Sequence, residues 1–160
     1  MAATLTGNSP WQAGPAITGL SAGIASGAAP VVSNIFANPV LTGSSALPFY
    51  ADLILVLGTA ETATSAGGWI AVALLRQSTA TGPGETAALS NSQLYPYDDG
   101  RYGQISVTPS RAYSATEWLV CGSLLVPKSP YLQIAVFNNS SFGIPATATW
   151  TLNFAGGDIG

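Results

Sequence analysis

Two short apolar runs, each bounded by glycine, set the terms for this chain. The first reads Tyr50-Ala51-Asp52-Leu53-Ile54-Leu55-Val56-Leu57-Gly58 and the second Gly68-Trp69-Ile70-Ala71-Val72-Ala73-Leu74-Leu75-Arg76. Neither reaches the roughly 20 apolar residues that a helix needs to cross a bilayer. Their length and flanking glycines favour strands over helices. Together they predict a long hairpin at the heart of an antiparallel β domain. In the first run Phe49, Ala51, Leu53, Leu55 and Leu57 share one face under the period of two. That face is wholly apolar and is expected to point into the core, with Tyr50, Asp52, Ile54 and Val56 on the other. The second run is apolar on both faces, which predicts a central strand covered on both sides.

The rest of the chain reads the same way. The Thr, Ala, Ser and Glu residues between the runs predict a solvent loop. Residues 31–36 form a short strand stopped at Asn38-Pro39, and residues 104–108 another. Residues 117–126 form a strand with a bulge at Gly122. In residues 131–137, Leu132, Ile134 and Val136 alternate with Tyr131, Gln133, Ala135 and Phe137. Asn138-Asn139-Ser140-Ser141 reads as a turn. In residues 147–154, Ala148, Trp150, Leu152 and Phe154 face inward and Thr147, Thr149, Thr151 and Asn153 outward. No segment reads as an amphipathic helix. About seven or eight strands separated by turns predict an all-β fold, an antiparallel β-sandwich of jelly-roll-like type.

Residues 1–30 are rich in Ala, Gly, Ser and Thr and carry Pro10, Pro15 and Pro30. They read as an extended N-terminal arm ahead of a sandwich domain at 31–160. The arm either frays or lies across a neighbouring subunit and inserts Trp11 there. The long loop at 77–100 carries Tyr95 and Tyr97, with Tyr102 just beyond. These tyrosines either pack on their own sheet or serve an interface.

Composition narrows the chemistry. Charged residues make up 7% of the chain, against about 25% in typical domains. The hydrophobic fraction of 48% argues against disorder, which combines low hydrophobicity with high charge. A surface of so few charges costs little to desolvate when another protein covers it. Four Lys and Arg residues, the first of them Arg76, cannot neutralise the phosphates of a duplex, so no nucleic-acid partner is expected. There is no histidine, which removes Ser-His-Asp and Cys-His catalysis and the usual zinc sets. The single cysteine, Cys121, lies in an apolar run and reads as a buried, inert thiol. Asp98-Asp99-Gly100 reads as a plain turn. No signal peptide, membrane partner, cofactor or metal is expected, and no enzyme activity.

With the strands placed, residues 50–160 resemble a family of virion structural proteins of tailed bacteriophages, the capsid decoration (cement) proteins. The resemblance rests on the order of residues 50–58, a small-residue loop, the strand ending Leu74-Leu75, and Asp98-Asp99-Gly100-Arg101-Tyr102. Leu125-Val126-Pro127 then leads into residues 131–139, and a last strand follows Ile144-Pro145-Ala146. Residues 1–47 lie outside it, and residues 77–97 depart from the family pattern. The resemblance implies a jelly-roll-like sandwich on the capsid surface of a virion, made in the host cytoplasm. It implies partnership with the major capsid protein and with itself as a homotrimer, and no catalytic residues. The candidate interface residues are Trp11, Tyr95, Tyr97 and Tyr102. The alternative function is a carbohydrate-binding module, or a tail or head-fibre component, attaching to host glycans.

Overall fold

The computed structural model describes residues 12–38, 50–85 and 100–155. Its strands are β1 (Gln12–Ala13), β2 (Val31–Val32), β3 (Phe36–Ala37), β4 (Tyr50–Val56), β5 (Glu61–Thr62), β6 (Gly68–Gln77), β7 (Tyr102–Val107), β8 (Ala112–Tyr113), β9 (Trp118–Leu125), β10 (Tyr131–Ser140) and β11 (Thr149–Ala155). No helix occurs among the described residues. One sheet has the order β1-β11-β4-β9. The other has the order β2-β10-β6-β7, with β3 also on β10. Every pairing is antiparallel. The inner faces of the two sheets enclose one hydrophobic core, so the fold is an all-β sandwich.

The two apolar runs became β4 and β6, with the faces expected of them. Ala51, Leu53, Leu55 and Leu57 are fully buried, and β6 lies between β10 and β7 with both faces covered. The hairpin is corrected: β4 and β6 belong to different sheets. Pairing them side by side would leave two apolar faces in one plane. Facing each other across the sandwich, Leu53 and Leu55 bury against the core that also holds Ile70, Val72 and Leu74. The bounding glycines serve that crossing. Gly58 has φ 72° and Gly68 φ 124°, and a Cβ on either would collide with a carbonyl oxygen, of Thr147 and Asn139 respectively. The expected solvent loop between them carries β5, which pairs with β8, and buries Ala63.

Three further expectations change. Residues 12–30 are bound to the sandwich rather than standing off as an arm: β1 pairs with β11, and Leu20 and Ile24 lie in the main core. The strand expected at 31–36 is split at Ser33, whose hydroxyl accepts from the Ile134 amide at 2.9 Å where a ladder carbonyl would otherwise stand. The Asn-Asn turn is strand, because β10 runs on to Ser140. Asn138 is wholly buried there. Its Nδ2 donates to the carbonyls of Ile24 and Phe142 at 2.9 Å, and its Oδ1 accepts from the amide and hydroxyl of Ser140. The side chain thus ties the 20–30 segment to the end of β10.

On β11 the inward set is as expected, with Ala148, Trp150, Leu152 and Phe154 buried. The bulge is also present: the β4–β9 register shifts between Ala51 and Leu53, and the Ser123 amide donates to Asp52 Oδ1 at 2.8 Å.

Leu55→Ala should cost about 2–5 kcal/mol, because a fully enclosed side chain leaves a cavity. Denaturant unfolding checks this, and a negligible change would refute the face assignment. Asn138→Ala should cost about 1–3 kcal/mol, since it removes the buried side-chain bonds to the Ile24 and Phe142 carbonyls and to Ser140, while those carbonyls keep the Ile144 amide and the Ser140 hydroxyl as donors.

Candidate interaction face

The outward face of the β1-β11-β4-β9 sheet carries the largest exposed apolar groups among the described residues. Trp118 is 68% exposed, Tyr50 47% and Val120 45%. Strand parity explains why. Leu119 and Cys121 alternate with Trp118 and Val120 and are buried, so the latter pair must face out. The registers set two rows across the face, Thr149–Val56–Trp118 and Thr151–Ile54–Val120. A third position pairs Asn153 with Asp52. The face therefore grades from threonine hydroxyls on β11 to bare apolar groups on β9. It holds no cation, and its carboxylate, Asp52, accepts the bulge amide.

Among the described residues β9 is the edge strand of its sheet. Its far end is tied to the start of β7 by the Leu125 amide, which donates to the Gly100 carbonyl at 2.7 Å. At its near end Glu117 pairs with Arg111, whose guanidinium sits 4.6 Å from the centre of the buried Tyr113 ring. Both charges near Trp118 are thus engaged at home. Cys121 lies beneath this face, packed where a side chain on Gly103 would collide with its sulfur. Burial, and secondarily the charge of Asp52, pushes its thiol up to about 12. It is buried, as its apolar context led one to expect.

The opposite outward face, on β10 and β6, is closed. Ala71, Ala73, Leu75, Ala135 and Phe137 form a second buried cluster, with Trp69 packed against Phe137 in a tilted arrangement, 5.5 Å between ring centres. Tyr102 packs half-buried against this cluster, and its hydroxyl lies 2.5 Å from Gln104 Nε2. Packing on its own sheet is thus what Tyr102 does. Trp11, Tyr95 and Tyr97 lie outside the described residues.

Beside β10 is a groove of about 280 Å³ lined by Val32, Ile35, Gln77, Pro83, Glu85 and Gln133. Its polar groups bind one another: Gln77 Nε2 donates to the Glu85 carbonyl and to Gln133 Oε1, and Gln133 Nε2 donates to the Ser33 carbonyl. Glu85 is held by Arg76 Nε and Nη2 at 2.9 and 2.8 Å and by Arg101 Nη1 at 2.5 Å. No group of three or more His, Cys, Asp or Glu suited to a metal occurs among the described residues.

The sequence marks residues 117–126 as a strand without singling out Trp118. The signal was present in the alternation Trp118-Leu119-Val120-Cys121-Gly122. It becomes decisive only once β9 is known to be an edge with one wet face. No protein-family model, curated protein or solved structure matches this chain.

The Glu85 carboxyl is held below its ordinary value of 4.5. Burial alone would raise it, and hydrogen bonds from the Arg101 side chain and from the Arg76 amide and side chain outweigh that. A depressed carboxyl adds stability above its unfolded value and loses it as pH falls through the folded value. Glu85→Gln should therefore be less stable than the parent at pH 7. The gap should narrow below about pH 4.5 in thermal melts across pH.

Proposed function

We propose that this protein is a structural component of a bacteriophage particle, a decoration (cement) protein that binds the major capsid protein on the outside of the shell and stabilises it. The observation that carries this reading is the Trp118–Val120 face, an exposed apolar patch without free charge on a chain with very few charges. Large exposed apolar patches mark interaction sites, and a tryptophan at the centre of one is the usual anchor. Partners that repeat by symmetry gain from many modest contacts that desolvate little charge. The jelly-roll-like topology expected of such proteins is supported by the strand order, in which first and last strands pair and the second lies beside the penultimate. The reading assigns the chain no catalytic role.

A second reading is a glycan-binding module. It is favoured by the exposed indole of Trp118 on the same face as the hydroxyls of Thr149 and Thr151, which lie across β4 from it, an arrangement that suits stacking of one sugar ring with hydrogen bonds to a neighbouring unit of the same glycan.

Capsid particles prepared with and without the protein distinguish the two. The capsid reading expects particles lacking it to open at lower temperature. It also expects Trp118→Ala to weaken particle binding by about tenfold or more, while the melting temperature of the isolated chain stays within about 2 °C. Glycan binding with no effect on particle stability would favour the module instead.

A further inference from the structure

The edge of β9 offers more than a face: among the described residues no strand pairs with its outer side. Within residues 118–122 it carries no charge and no proline, two devices by which sheet edges are commonly protected from pairing with another chain. Ser123, left-handed at φ 59° with its amide held by Asp52, and the Leu125–Gly100 bond confine the open stretch to residues 118–122. An open edge accepts only an extended backbone. The question is which one.

We propose that the occupant is β9 of a second copy of this chain, paired antiparallel about a two-fold axis through Val120. Such a contact is isologous, so each position must complement its symmetry mate. Centred on Val120, the register places Val120 against its own copy and Trp118 against the partner's Gly122. An exposed aromatic laid across from an edge glycine is a recognised stabilising pair, because the ring covers backbone that glycine leaves bare. Gly122 is exposed on the same outward face as Trp118 and Val120. On the other face Leu119 meets the partner's Cys121, apolar against apolar, and both are already buried at the rim of the core. No shift by one residue keeps the faces matched, because that would set inward against outward side chains.

The result is a continuous sheet of twice the width, with two Trp118–Val120 patches side by side on one surface. Edge pairing closes at two chains, unlike the three-fold contact implied by the resemblance. The inference goes beyond the capsid reading, and it is tested on the isolated chain. Its failure would leave capsid binding to be judged on particles.

The test is Val120→Cys, oxidised mildly and run without reductant, with the parent chain reporting any background from Cys121 and Thr151→Cys as a control on the same face. The Val120→Cys chain should form a covalent dimer, while Thr151→Cys and the parent should not. At about 100 µM, where a micromolar contact is populated, the parent should sediment as a dimer and Val120→Lys as a monomer with unchanged melting. Equal cross-linking at positions 120 and 151, a parent that sediments as a monomer, or a three-chain species untouched by Val120→Lys would each overturn the proposal.

Discussion

Ten unbroken residue pairs between β6 and β10, from Gly68 with Ser140 to Gln77 with Tyr131, form the ladder on which the rest of this protein hangs. Both strands are covered on both faces. Inward, Ile70, Val72, Leu74, Leu132, Ile134 and Val136 build the floor of the main core. Outward, small and aromatic groups on the same strands close a second cluster. The opposing sheet exists because that floor needs a lid, and β4 supplies it with Leu53 and Leu55. Strands β7, β2 and β3 then extend the floor on either side. The outward groups of this ladder are largely buried, and the exposed large apolar groups among the described residues lie on the other sheet.

A chain with few charges must satisfy its buried backbone by neutral means, and it does. Ser33, Asn38 and Asn138 place amide and hydroxyl groups where strands break or end. Ser129 caps the β6 end by donating its hydroxyl to the Gln77 carbonyl. The ion pairs stand at element ends: Arg76 and Arg101 on Glu85, and Arg111 on Glu117. The polar economy is therefore spent inside the fold. The Trp118 face is left with threonines, Asn153, an Asp52 engaged by the bulge amide, and apolar groups. Among the described residues one buried side-chain group escapes this accounting: the Trp150 indole N–H has no partner, and nothing in its surroundings explains it.

Much of this was legible in the residues. Alternation assigned both faces of β4 and β11 correctly, and the doubly apolar run marked β6 as central. Gly122 marked the bulge. What alternation cannot supply is which strands share a sheet. The hairpin expectation failed there, since a nine-residue connection permits either a turn within a sheet or a crossing between sheets. Asn138 misled for a related reason: asparagine suits turns when exposed, and here tertiary partners hold it in a strand. Trp118 went unremarked because an apolar run looks the same at an edge as at a centre. The tryptophan of the proposed arm and the loop tyrosines at 95 and 97 lie outside the described residues. Tyr102 belongs to the closed face.

The central claim is that the β9 side of the β1-β11-β4-β9 sheet is the surface this protein uses. Oxidative footprinting of the chain, free in solution and bound to capsid particles, tests it most directly. The account predicts that Trp118 is among the most readily oxidised residues in the dilute free chain and is strongly protected on the particle, while Trp150 stays protected in both. Trp118 oxidised equally in both states, with protection appearing on the β10 and β6 face instead, would contradict it.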